Sequence, residues 1–449
     1  MLSSCHIFGN YERPTQVDSL AHAITYRDIH ATDTINFGNT PWREVFTDPQ
    51  LQSYIEKVLA QNADMRVADL NLQKAEVGLR LSKFQFFLPS ITFSPSGTIS
   101  KAFIDGASNS KTYEFPVTAS WQADAFGKLR NSKKQTETQL LTLKEVHHAT
   151  QTGLISGTAQ LYYGLQLMDE QLATMQSTLA LWQKNIMALE AMMDAGMINA
   201  AALSSAKAQY LQIQANVPAL EDGIRTMENN LCLLMMEEPH AITRSKFAPQ
   251  AFPVDLRTGL PFQLLGQRPD VRIAELELAN CFYAKLGARS AFYPTLNIAG
   301  NGSFTNSLGG MIMNPGKFIA AGVASLIQPI VQRGALIGQL KVSKLAEQQA
   351  EIKFEKTLLN AAMEVSNAVA SYHSYSEQEA ITRQQVAELE RASEATQELF
   401  LHAGGSTTYL ETLTAQMQLL QGRLNLLNDQ YQQILSAINL YQALGGGHE

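Results

Sequence analysis

No run of about 18 consecutive apolar residues occurs in the 449-residue chain, which excludes a transmembrane helix. That lack says nothing against a spanning β-barrel, whose strands are short and alternating. Cysteine is scarce. Cys5, Cys232 and Cys281 are too few and too scattered for a disulfide framework or a metal cage, and the last two lie in helical patterns as small hydrophobes. A net charge of −7 without a basic stripe sets nucleic acid aside as a partner. Nucleotide-binding glycine loops and nucleophile motifs are missing, so an enzyme is the least favoured class. His147 and His148 are adjacent, and a helix would point them in different directions rather than at one metal ion.

What the chain has is heptad rhythm. Leu154, Leu161, Met168, Met175, Trp182 and Leu189 interleave with Leu165, Leu172, Leu179, Ile186 and Met193, flawed only by Thr158. The rhythm returns from Leu203 to Leu234 and from Leu410 to Tyr441. A helix from near Gly127 to Ala195 would cover roughly 69 residues and span about 100 Å. Such lengths suit a bundle or tube of antiparallel helices, with turns at Ala195-Gly196 and Ala403-Gly404, and Pro218 should bend or loosen the second run.

Self-comparison shows a period of roughly 206 residues. Asp64 to Leu70 aligns with Asp270 to Leu276, and "FLPSITF" from Phe87 with "FYPTLNI" from Phe292. Each unit reads helix, two strands, long helix, turn, long helix. The strands are about Ser90 to Ala102 and Lys111 to Ala123, then Thr295 to Thr305 and Phe318 to Gln328, each long enough for a tilted strand to cross a bilayer. Tyr113, Phe115, Val117, Ala119 and Trp121 alternate with Thr112, Glu114, Thr118, Ser120 and Gln122, so the first set should face lipid and the second a watery lumen. The last strand, "FIAAGVASLIQ", alternates poorly. Four strands cannot close a barrel and an open edge cannot sit in lipid, so several copies should share one barrel.

The stretches "WREVFTDPQLQSYIEKVLAQNADMRVA", "SWQADAFGKLR", "LLGQRPDVRIAELEL", "ARSAFYPTLNIAG" and "YLETLTAQMQLL" resemble an outer-membrane factor of the TolC family, most like the lipoprotein channels of tripartite efflux pumps of the resistance-nodulation-division class. The resemblance covers nearly the whole chain. It implies an α+β membrane protein whose duplicated unit supplies long coiled-coil helices to a periplasmic α-barrel and four strands per protomer to a trimeric, 12-stranded transmembrane β-barrel. It implies a homotrimer in contact with outer-membrane lipid, a periplasmic adaptor protein and an inner-membrane pump as partners, and no chemistry at the channel. The expected segments are a lipid-anchored arm at 1–43, a helix at 44–88, a β-hairpin at 89–125, a helical hairpin at 126–238 and an equatorial linker at 239–262. The second unit repeats the plan with a helix at 263–293, a β-hairpin at 294–331, a helical hairpin at 332–444 and a tail at 445–449.

"LSSC" resembles a lipobox, so Cys5 is the expected site of a covalent lipid and no other cofactor is implied. The charged and apolar regions of a signal peptide do not precede it, which points to a misplaced start codon or a trimmed chain. By resemblance, Leu410 is a constricting gate leucine, Glu411 an acidic gate position, and Thr414 stands where the family often has aspartate. A ring of carboxylates on one axis would attract cations. The helix tips Gly196, Met197, Ile198 and Asn199, and Gly404, Gly405, Ser406 and Thr407, resemble adaptor-docking sites, although turn formation alone accounts for the glycines. Two other transport readings, exit channel for type I protein or peptide secretion and for metal efflux, share the fold. A soluble coiled-coil scaffold is the alternative from another class, opposed by the strand pairs with uncharged polar faces.

Overall fold

The computed structural model describes residues 8–15, 37–100, 110–248, 266, 268–305, 318–330, 332–402 and 409–447. Two compact units form, one from residues 1–18, 70–145 and 272–357, the other from 19–69, 146–271 and 358–449. The helices are α1 (Trp42–Val45), α2 (Pro49–Gln61), α3 (Ala63–Phe87), α4 (Lys128–Asp194), α5 (Ala200–Leu234), α6 (Pro269–Ser290), α7 (Ala335–His402) and α8 (Tyr409–Ala443). Paired elements of the two repeats begin at Ala63 and Pro269, Lys128 and Ala335, and Ala200 and Tyr409, intervals that match the period in the sequence.

The first unit holds one antiparallel sheet. Its strands are β1 (Ser90–Phe93), β2 (Ser96–Ser100), β3 (Ser110–Ala123), β4 (Thr295–Thr305) and β5 (Phe318–Ile327), in the order β1/β2, β3, β4, β5. The first expected strand is broken in two. Phe93 pairs with Val117 and Ser96 with Glu114, so Ser94 and Pro95 lie opposite Pro116 and Phe115. Two prolines lack the N–H groups that the ladder needs there, and only the Ser94 N–H reaches across, to the Pro116 carbonyl at 3.2 Å.

Directly opposed residues share a face. Phe115 opposes Phe304, Trp121 opposes Ile298, and Phe304 opposes Phe318; on the other face Thr118 opposes Asn301 and Gln122 opposes Asn297. One face is therefore apolar and the other polar and nearly uncharged. β5 departs from this, for Ile319, Val323 and Ile327 stand on the polar side opposite Ser303, Ala299 and Thr295.

The second unit is helical. Its heptad positions pack into two clusters, one around Leu154, Leu165, Leu231, Cys232 and Met235, the other around Trp182, Leu189, Leu203, Ile213, Leu413 and Leu420. Thr158, the flaw in the seam, is buried and donates its hydroxyl to the Leu154 carbonyl at 2.7 Å, so it sits there without an unmet hydrogen bond. Pro218 does not end α5, which runs unbroken from Ala200 to Leu234. Pro218 and Gln214 are both exposed, so water can take the carbonyl that loses its partner.

Residues 44–88, expected as one helix, form parts of three. Asn62 has an extended ψ of 137°, which stops α2, and its side-chain oxygen accepts from the N–H groups of Asp64 and Met65 to start α3.

Candidate functional site

Tyr113, Phe115, Val117 and Trp121 all project from the apolar face of β3, and each stays between 37% and 48% exposed within one chain. The Trp121 indole N–H points to the Phe86 carbonyl at 3.4 Å, at the α3 end of the strand. On both sides the sheet ends in strands without a further partner among the described residues, β1/β2 at one edge and β5 at the other.

The first helix tip closes as a left-handed cap. Gly196 has φ 73°, its N–H reaches the Met193 carbonyl at 2.9 Å, and the Met197 N–H reaches Met192 at 2.9 Å. Asn199 then caps α5 by accepting from the Ala202 N–H at 2.9 Å. Met197 is exposed, whereas Ile198 packs against the Trp182 cluster. Leu410, Glu411 and Thr414 share the first two turns of α8, and the Thr414 hydroxyl donates to the Leu410 carbonyl at 2.7 Å. Thr414 is thus engaged with its own helix. Cys5, Gly404, Gly405, Ser406 and Thr407 lie outside the described residues.

Polar clamps that sequence reasoning missed hold the helical unit. Arg268 is buried; it donates to both oxygens of Asp270 at 2.9 and 2.7 Å, to Glu364 at 2.6 Å and to the Ala443 carbonyl at 2.6 Å. Burial alone would lower its pKa, and the two carboxylates reverse that and raise it. Arg244 is held by Asp169 and Glu228, and the hydrogen bonds to Asp169 do most to raise its pKa. Asp48 accepts from Tyr162, Ser245 and the N–H groups of Gln50 and Leu51. Burial pushes its carboxyl up, but those hydrogen bonds outweigh it and hold the group below its ordinary value. His147 Nε2 lies 2.9 Å from Asp69, and no group of three or more His, Cys, Asp or Glu among the described residues could hold a metal ion. Arg268 and its partner Asp270 both stand in "LLGQRPD", but its other partners, Glu364 and Ala443, lie 96 and 175 residues away in the chain.

A model of the outer membrane efflux protein family matches residues 54–235 and 260–446. The chain belongs to that family. It is 28% identical to the cation efflux system protein CusC of Escherichia coli over 99% of this chain and 97% of that one. It is 27% identical to the toluene efflux pump outer membrane protein TtgC of Pseudomonas putida over all of this chain and 93% of that one. A crystal structure of CusC, from work on folding and transmembrane channel formation, superposes with a TM-score of 0.84 at 26% identity, covering 95% of this chain and 99% of the other. This outer membrane efflux protein is therefore an outer-membrane component of an efflux system in a Gram-negative cell, and the soluble scaffold reading falls.

Proposed function

We propose that this efflux protein is the exit duct of a tripartite pump, working as a homotrimer whose copies each lend four strand positions to one 12-stranded barrel. The two open sheet edges carry this reading, since neither edge can remain unpaired in hydrocarbon. The apolar face with Tyr113, Phe115, Val117 and Trp121 meets lipid, and the Ser, Thr, Asn and Gln face lines the lumen. A monomer in mild detergent, measured by native mass spectrometry, would overturn it; a trimer that holds together there is the expected outcome.

The rest of the pump reading follows from that placement. Residues 1–43 form the anchored arm, 239–262 and the tail at 445–449 belong to an equatorial belt, and the helical hairpins at 126–238 and 332–444 form the duct. Phe8 lies against Gly127 and over Arg130, where the chain has just left the sheet. Cys5, three residues earlier in the chain, carries the acyl chains on its sulfur. Intact-mass measurement of protein from membranes should show the diacyl addition, and an unmodified Cys5 would remove it. Leu410 is the constriction and Glu411 its charged layer; Glu411→Ala should lower cation selectivity in single-channel recordings. The tips at Gly196 to Asn199 and Gly404 to Thr407 receive a periplasmic adaptor, an inner-membrane pump supplies the cargo, and the duct catalyses no reaction. Relatives of nearly equal identity are named for cations and for toluene, so cargo is assigned by deleting the gene and testing susceptibility to metal salts and organic compounds side by side.

A further inference from the structure

The sequence has no basic stripe, but the fold assembles a basic collar. In the unit that holds the sheet, four stretches at the helix ends next to the strands are residues 80–88, 128–136, 283–290 and 333–344. Together they contain eleven Lys and Arg and no Asp or Glu, in a chain whose net charge is −7. Some of these cations are engaged: Lys133 and Lys134 face Glu137, Lys285 pairs with Glu347, and Arg130 covers the Phe8 ring. Arg80, Lys83, Lys128, Arg333, Lys341 and Lys344 are exposed and have no side-chain partner among the described residues.

On the strand side of this collar lies an aromatic layer. Phe86 and Phe87 meet edge to face at 4.8 Å, the Trp121 indole reaches the Phe86 carbonyl, and Phe126 stacks on Tyr293 at 5.3 Å. Aromatic rings followed at once by Lys and Arg match the order of a bilayer boundary, in which rings sit at the edge of the hydrocarbon and long cationic side chains reach the headgroups. Six exposed cations without a side-chain partner among the described residues call for counter-charge from outside the chain, and a surface of phosphates supplies it.

We propose that this collar binds the anionic headgroups of phospholipids in the leaflet on the helix side of the sheet. The inference rests on the reading of the sheet as membrane-spanning. Trp121 supplies the probe, because Trp42 and Trp182, the other two tryptophans, are buried in the helical unit. The full-length protein is reconstituted into bilayers containing either brominated phosphatidylglycerol or brominated phosphatidylcholine, and quenching of Trp fluorescence is titrated. Quenching should favour phosphatidylglycerol about threefold or more at low salt. The preference should vanish near about 0.5 M salt and in a variant with all six cations changed to Gln. The salt series needs no variant, so a misfolded sixfold mutant leaves the test intact. Equal quenching by both lipids at low salt overturns the proposal, as does a preference that millimolar inorganic phosphate abolishes, since a free anion would then be the ligand. Absence of quenching by either lipid removes Trp121 from the bilayer and overturns the membrane-spanning reading itself.

Discussion

In the first repeat α5 ends at Leu234, whose carbonyl accepts from the Asn62 side chain at 3.0 Å; in the second α8 ends at Ala443, whose carbonyl accepts from Arg268 at 2.6 Å. Asn62 and Arg268 stand just before α3 and α6, at matching points of the two copies. A neutral amide needs no counterion, and the first copy has Thr158 near the place where the second has Glu364. A buried guanidinium does need one, and the second copy provides Asp270 and Glu364. The left-handed residue after each helix differs as well: Met236 at φ 57° in the first copy, Gly445 at φ 77° in the second. The two copies thus share the geometry of the joint and differ in its chemistry, one amide in the first and a charged triad in the second.

The largest effect should come from Arg268→Ala. It leaves Asp270 and Glu364 without their shared cation and the last carbonyl of α8 unmet, a loss of about 3 kcal/mol, the low end for a broken buried pair because the two carboxylates are half-exposed. Thermal unfolding of the purified protein measures it. Arg268→Asn combined with Glu364→Thr rebuilds the chemistry of the first copy and should recover part of that loss; no recovery would mean the two joints are not equivalent. Asn62→Ala removes one cap and one bond to Leu234, and should cost about 1 to 2 kcal/mol.

Smaller differences lie at the caps. Gly445→Ala should cost about 1 kcal/mol, because a Cβ there has a left-handed backbone and meets the Arg268 Cα at 3.3 Å. Met236→Gly should be neutral or gain about 0.5 kcal/mol, the relief of left-handed strain slightly exceeding the added freedom of the unfolded chain. The smallest effect is acid sensitivity in the first copy. The folded pKa of Asp48 is below its ordinary 3.8, so its contribution is fully present above pH 3.8 and is lost as pH falls below that value. Unfolding of Asp48→Asn should show a shallower fall in that range than the parent protein.

Features that repeat along the chain were legible in the sequence. The alternation in Tyr113 to Trp121 marked β3, and the heptads marked α4, α5 and α8, because each is a local period imposed by one neighbouring face. The break between β1 and β2 was not, since it depends on Pro95 lying across from the Phe115-Pro116 step rather than on either proline alone. Asn62 stands as one polar residue in the expected helix at 44–88, and its bond to the Leu234 carbonyl, distant in the chain, joins its cap on α3 in fixing the break there. The basic collar is the clearest case. Its four stretches are separate in the chain, and only the attachment of α3, α4, α6 and α7 to one sheet brings them together.

The two free edges of the sheet are different strands running in opposite directions, because four strand positions alternate across each copy. Joining β5 of one copy to β1/β2 of the next is a head-to-tail contact, which generates rings by rotation, whereas a like-with-like β5 to β5 contact would leave both β1/β2 edges open. An even number of positions per copy also keeps every joint antiparallel however many copies close the ring, whereas an odd number would force a parallel seam. A gene duplication that doubled one β-hairpin preserves that parity.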